Sequence, residues 1–533
     1  MADVGIIGHG GYVPLRRYEV KFLARRRNKK LVDYYVKGLW CEEKAVPGLD
    51  EDATTLGYEA ARNALRRAGI NAKELGAVYL GSESQPYAVG SSALQIASFL
   101  GTRDMHVSDL ELACNSGMEA LNLCDALVKS GKIDYGLAIG ADFSQGAEGD
   151  PLEILTGAGA GAFIVGSSDP IAEILDSVPC SSFTLDFWRR DGQPTPTHHG
   201  KTTKRVYMMH VLGACTKFLE KHKLSLNQFD WITAHSPYAK LVEQTFRPVS
   251  VIKTFLDPSE LTEKLKMEMK ENPERVVKRA ESFRYINENV KKFVLRSLEH
   301  LTLSEEERRE KIHPTLLSKR VANSYAGNTP LNLVYILEMA KPRENILAIS
   351  YGSGAASLAT WIKTLPGIRK RNRIGPKVGD YLNRSKMLGW RDFCGIKIRR
   401  VKEFLGRRPK RVVGKIEPIG NDSFEVQLCH GCRRVYFPPH DFCLDERCRG
   451  FNKPAMLEQI FLPKRGELKW FKKGSRKNTY EIFLEDKVII TDTYPPFLKK
   501  GVELEAIIRK VDEEGDGGPI MYAPAYRVPV NIR

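Results

Sequence analysis

The sequence predicts an α/β fold followed by a small β-rich module, and three observations carry that expectation. From the N-terminus to about residue 365, short apolar strands alternate with amphipathic helices, the pattern of mostly parallel sheets. Between Arg369 and Lys415 stand 17 Lys/Arg against three acidic residues, Asp380, Asp392 and Glu403. From Phe424 onward, β-type segments are separated by Gly, Pro, Asn and Asp turns, and a small barrel is the natural closure for so few strands.

The elements follow in order. A strand-like segment opens the chain, Met1-Ala-Asp-Val-Gly-Ile-Ile-Gly. Leu56, Ala60, Ala61 and Leu65 recur at helical spacing and predict a helix from Thr55 to Ala68, followed by a strand at Ala77-Val-Tyr-Leu-Gly. Tyr135-Gly-Leu-Ala-Ile-Gly-Ala and Ala158-Gly-Ala-Gly-Ala-Phe-Ile-Val-Gly are too short and glycine-rich for membrane spans and read as buried strands. Residues 255 to 311 are rich in Glu, Lys and Arg at helical spacing and predict surface helices without chemistry of their own. Ile346-Leu-Ala-Ile-Ser350 is a further strand.

At 533 residues the chain requires two or three domains, and 42% hydrophobic with 28% charged residues is a globular composition. There is no membrane-length apolar run and no basic segment leading into an apolar one at the start, so a cytoplasmic protein is expected. Ten cysteines are sparse for a disulfide scaffold, which fits a reducing compartment. The +14 stretch is either a solvated linker or an attractor for phosphates, those of a nucleic acid or of coenzyme A.

Two motifs carry chemistry. In Asp109-Leu-Glu-Leu-Ala-Cys114-Asn-Ser-Gly117 a cysteine stands where a strand becomes a helix, and helix-terminal N–H groups there favour a thiolate. Some thirty residues earlier, Gly81-Ser-Glu83-Ser84 offers a base for that nucleophile. The other motif is Cys429-x2-Cys432-x10-Cys443-x4-Cys448, two thiolate pairs at the spacing of a closed structural zinc site. A zinc ribbon beside a small barrel also serves nucleic-acid binding, but the basic stretch lacks the exposed aromatics of a single-strand platform, which argues against that partner.

Several stretches together resemble the hydroxymethylglutaryl-CoA synthases of the thiolase superfamily, especially their archaeal form. They are Gly8-His-Gly-Gly-Tyr-Val-Pro14, Glu42 to Asp52, Gly81-Ser-Glu-Ser-Gln-Pro-Tyr, Leu112-Ala-Cys-Asn-Ser-Gly, Asp186-Phe-Trp-Arg189, Ala234-His-Ser-Pro-Tyr-Ala-Lys240, Asn323-Ser-Tyr-Ala-Gly and Ser350-Tyr-Gly-Ser-Gly354. The resemblance spans residues 1 to 365 and implies a thiolase-like five-layered αβαβα fold. It implies that Cys114 is acetylated by acetyl-CoA, that Glu83 takes the methyl proton, and that His235 polarises the ketone of acetoacetyl-CoA and protonates the alkoxide. Asn323 would orient the second thioester, the backbone N–H groups of Cys114 and Ser353 in the Gly352-Ser-Gly354 turn would hold an oxyanion, and Lys240 would contact coenzyme A. Two departures stand out: Asn115-Ser116 replaces the usual Lys-Ala, and Ala322 replaces a glycine.

The segment from Cys429 to about Val528 resembles a separate archaeal zinc-ribbon and OB-fold protein that bridges the synthase and acetoacetyl-CoA thiolase. The expected domains are therefore 1–165, with the nucleophile; 166–365, with the histidine, the asparagine and a charged helical insertion; 366–420, a basic linker or helical segment; 421–450, the zinc ribbon; and 451–533, the OB barrel. A homodimer or higher oligomer and a thiolase complex are the implied partners. A ketoacyl-synthase-III-like condensation is disfavoured because those relatives lack the glutamate, and a scaffold protein is the remaining alternative.

Overall fold

The computed structural model describes residues 4–143, 146–190, 193–255 and 288–404, and beyond these the backbone of strands between 424 and 527. Chain order gives β1 (Gly5–Tyr12), β2 (Arg16–Glu19), β3 (Glu43–Val46), β4 (Ala77–Gly81), β5 (His106–Leu110), β6 (Tyr135–Phe143) and β7 (Ala158–Gly166). There follow β8 (Ala172–Ser181), β9 (Phe187–Trp188), β10 (Thr197–His198), β11 (Trp231–Ala234), β12 (Asn345–Gly352) and β13 (Ala356–Thr364).

Nine of these form one mixed sheet in the order β11-β12-β13-β8-β1-β7-β6-β4-β5. Its two halves meet between β8 and β1, which are paired at Ile6 and Ala172. The apolar, glycine-rich segments are β6 and β7, buried neighbours in antiparallel register from Tyr135↔Gly166 to Phe143↔Ala158. Side chains as small as these let helices pack closely on both faces. Helix α1 (Val20–Arg27) precedes α2 (Ala53–Ala68), which begins at a capping box between Asp52 and Thr55 and stops at left-handed Gly69. Almost every residue of α2 is buried, as is the helix Asn328–Met339, which packs against strands of both half-sheets. This is a thiolase-like α/β architecture.

The expected helix at 55–68 starts two residues earlier, and the strand at 77–81 lies where it was placed. Within the charged region, helices occupy Glu288–His300 and Glu305–Lys311; Val294 and Leu298 of the first, with Val251 and Ile252 of the preceding helix Pro248–Phe255, join a hydrophobic core that includes Ile232 of β11 and Leu347 of β12. Residues 256–287 lie outside the described part.

The basic stretch is built into the body over its first half. Ile368, Val378, Tyr381 and Leu382 join the main core, Lys386–Met387 pairs with β2, and Phe393 of the helix Trp390–Phe404 stacks on Tyr18 at 4.5 Å. Further on, Phe424–Cys429 pairs antiparallel with Val435–Tyr436 and with Leu457–Leu462. Five more strands, Arg465–Lys473, Tyr480–Leu484, Lys487–Thr491, Glu503–Val511 and Met521–Arg527, form a separate antiparallel sheet.

Candidate active site

Cys114 sits in the turn between β5 and the helix Ser116–Lys129, as the strand-to-helix reading expected. Ala113 takes a φ of +46°, and the Ser116 amide donates to its carbonyl at 3.1 Å, so the chain doubles back and buries the thiol. Two neighbours reach it through missing side chains. A Cβ on Gly81 would lie 2.3 Å from the Gly117 nitrogen, and one on Gly352 would lie 2.4 Å from the Leu112 oxygen. The ends of β4 and β12 therefore converge on the cysteine.

Glu83, just past β4, lies beside Cys114, close enough for each group to shift the ionisation of the other. Its loop is fixed by Asp142, which ends an otherwise apolar strand and is fully buried. The Asp142 carboxylate accepts from the Glu83 amide at 2.9 Å, the Ser82 hydroxyl at 2.8 Å, the Ser84 amide at 2.9 Å and, across the site, the Ala326 amide at 2.9 Å. Burial, and then the charge of Asp142, raises the Glu83 carboxyl well above the usual carboxylate range. Its Oε1 is buried with no hydrogen-bond partner among the described residues, an acceptor poised for a proton.

The thiolate expected from the helix terminus is not the resting form. Burial and the adjacent Glu83 push the Cys114 thiol well up, outweighing the few N–H groups at the start of the helix Ser116–Lys129. The resting nucleophile is thus a thiol beside a carboxyl group.

His235 follows β11, its amide donating to the Ile349 carbonyl at 2.8 Å so that the parallel ladder delivers it to the strand end. Tyr207 donates to its carbonyl at 2.5 Å, and the ring lies 6.3 Å from that of Tyr351. Burial lowers its pKa to about 3, which leaves a neutral imidazole with an unpartnered Nδ1. Asn323 is held at both backbone faces: its amide donates to Leu155 at 2.9 Å and its carbonyl accepts from Gly157 at 2.7 Å. Five residues on, Asn328 clamps Ser236, accepting from its amide at 2.8 Å and donating to its carbonyl at 3.2 Å, which ties the asparagine loop to the histidine turn.

Ser353 follows Gly352, which ends β12 against the cysteine turn. Lys240 stands apart on a short helix, its Nζ 3.9 Å from the ring centroid of Trp40, with Lys319 over the same ring at 4.9 Å. The sequence reading missed Asp142 and gave no role to Asp186 and Tyr351, which it quoted only within longer stretches. Asp186 is fully buried, accepts from Thr184 at 2.6 Å and lies 3.4 Å from the Tyr351 hydroxyl. A carboxylate ending an apolar strand was the available signal for Asp142.

The curated proteins similar to this chain decide its family. A hydroxymethylglutaryl-CoA synthase from Methanocaldococcus jannaschii is 38% identical over 388 residues, covering 72% of this chain and 96% of the relative. The chain belongs to the hydroxymethylglutaryl-CoA synthase family. A synthase from Pyrococcus furiosus is 36% identical over 395 residues, 73% of this chain and 95% of its own. The family profile "Thiolase, N-terminal domain" matches residues 48–151, and "Hydroxymethylglutaryl-coenzyme A synthase C terminal" matches residues 191–365. Among solved structures, MvaS in complex with 3-hydroxy-3-methylglutaryl coenzyme A superposes with a TM-score of 0.61 at 20% identity, covering 77% of this chain and 95% of that one. PksG, an HMG-CoA synthase from Bacillus subtilis, gives 0.58 at 18% identity, covering 75% and 89%. These last two speak for the shared fold. As a member of this family, the protein is an acyl-CoA condensing enzyme, a hydroxymethylglutaryl-CoA synthase.

Of the expected zinc ligands, Cys429 ends the strand Phe424–Cys429, while Cys432, Cys443 and Cys448 lie outside the described residues. Among the described residues there is no cluster of metal-binding side chains, and no helix is long and apolar enough to cross a membrane.

Proposed function

We propose that this synthase joins acetyl-CoA and acetoacetyl-CoA through an acetyl-Cys114 intermediate, supplying the mevalonate route to isoprenoids from the cytoplasm. The Cys114 sulfur attacks the acetyl carbonyl while ionised Glu83 takes its proton and passes it to the sulfur of the departing coenzyme A. Glu83, once ionised, removes a proton from the acetyl methyl group. The resulting carbanion adds to the C3 carbonyl of acetoacetyl-CoA, and His235 donates a hydrogen bond to that oxygen and relays to the tertiary alkoxide the proton that Glu83 removed, ending neutral again. Water cleaves the thioester, releasing 3-hydroxy-3-methylglutaryl-CoA and the Cys114 thiol.

The observation that carries this reading is the buried Cys114 thiol beside the Glu83 carboxyl, whose loop Asp142 fixes from behind. The amides of Cys114 and Ser353 are the oxyanion donors, Asn323 orients the acetoacetyl thioester, and Lys240 beside Trp40 meets coenzyme A. Incubating the protein with both substrates and weighing the product is the test. Release of 3-hydroxy-3-methylglutaryl-CoA is the expected result, and its absence, or a product of another mass, overturns the reading.

The same proposal extends to the C-terminal module. Cys429 ends a strand whose antiparallel partner begins at Val435, Cys432 falls between the two in sequence, and four thiolates at this spacing suit one structural Zn2+. Five antiparallel strands after it match the number in an OB fold. We assign this module to holding acetoacetyl-CoA thiolase beside the synthase. A homodimer is supported by β5, a half-buried edge strand of the main sheet with Leu94 and Leu112 exposed nearby.

A further inference from the structure

Lys44 is a buried lysine that the condensation does not use. It stands on β3, and its Nζ donates to the main-chain carbonyl of Glu153 and lies 3.4 Å from the Thr156 hydroxyl. Those contacts matter because of what residues 153–157 hold. Leu155, Thr156 and Gly157 pair with Asn323 along the backbone, accepting its amide, bridging it and donating to its carbonyl. A Cβ on Gly157 would lie 1.9 Å from the Val321 oxygen, so a small shift of this segment moves the Asn323 loop with it.

The segment is also gripped from outside. Arg27 donates to both oxygens of the Glu153 carboxylate at 2.7 Å, and Lys397, from the helix Trp390–Phe404, reaches Oε1. Although burial opposes ionisation, Arg27 and Lys397 hold Glu153 below the usual carboxylate range. A cavity of about 60 Å³ lies within this cluster, between Phe143, which follows Asp142, and Phe393 of the same helix.

We propose that Lys44, Glu153 and Thr156 form a brace that positions Asn323 for the second acyl-CoA, and that Lys397 ties the helix leading to the C-terminal module into it. Lys44 is then a positioning residue, acting through the 153–157 backbone. The inference rests on the role given above to Asn323.

The test separates the two half-reactions in Lys44→Met, Thr156→Val, Lys397→Ala and Lys397→Arg. Acetylation of Cys114 by acetyl-CoA alone should stay within about twofold of the parent in all four. The KM for acetoacetyl-CoA should rise about tenfold or more in Lys44→Met and Thr156→Val and about threefold in Lys397→Ala, with kcat changing less. Lys397→Arg should restore it. An unchanged KM in folded Thr156→Val overturns the brace even if Lys44→Met fails to fold, and so does a parallel fall in acetylation. If the parent enzyme makes no 3-hydroxy-3-methylglutaryl-CoA, the functional reading fails; if it does and the KM values do not move, only the brace fails.

Discussion

As the proposed base, Glu83 is a carboxyl group prepared for proton abstraction from carbon. It must be ionised to act, and burial together with Asp142 raises its pKa, so condensation should rise with pH through a point well above the ordinary 4.5. Asp142→Asn removes the like charge and favours ionised Glu83, which moves that rise to lower pH. The pH profile of condensation from preformed acetyl-enzyme checks this, and a shift to higher pH would contradict it. Ala322 offers a second residue-scale prediction. At φ +62° and ψ −166° it occupies a conformation that only glycine adopts without strain, so Ala322→Gly should stabilise the protein by about 1 kcal/mol in denaturant unfolding. An unchanged or lower stability would show that the strain is relieved elsewhere. Cys114 and Glu83 were legible in the sequence because a cysteine and a glutamate among small residues interrupt strand ends. Asp142 was not, because its significance lies in donors from residues 82–84 and 326, which only the folded chain brings together.

Single elements were legible where periodicity is strong. α2 declares itself by its apolar spacing, and β6 and β7 by continuous apolar runs between turns. Their sheet order was not, since a strand's pattern tells which faces it buries but not which distant strand it joins. The stretch after Pro366 misled for a different reason. Its charges dominate the reading, while the few apolar residues that anchor it are scattered among them. Ile368, Val378, Tyr381 and Leu382 are all buried, and stripping them away would expose apolar surface worth about 1.5–3 kcal/mol for each large side chain. A chain ending at Pro366 should therefore be unstable, whereas one ending at Phe404 should fold; thermal unfolding of the two decides it. Equal melting temperatures would show that the packed helices contribute nothing.

At the scale of the whole molecule, the chain joins a complete synthase body to a further β-rich module. Making acetoacetyl-CoA from two acetyl-CoA is unfavourable, so a synthase gains by consuming it beside the thiolase, and a tethered module raises the local concentration of the bridge without tight binding. The chain ending at Phe404 should keep its activity on supplied acetoacetyl-CoA, lose one equivalent of zinc per chain and no longer co-purify with the thiolase. Retained zinc or undiminished thiolase recovery would count against the bridge. The most direct test of the chemistry is the separation of its two steps at one pair of residues, by mass analysis of the Cys114 peptide and of the released product. With acetyl-CoA, Glu83→Gln should still acquire an acetyl group on Cys114, more slowly than the parent, while Cys114→Ala should acquire none. When acetoacetyl-CoA is then added, acetylated Glu83→Gln should release no 3-hydroxy-3-methylglutaryl-CoA. Acetyl label on another cysteine such as Cys124 or Cys215, or normal product release by Glu83→Gln, would contradict the roles assigned to this pair.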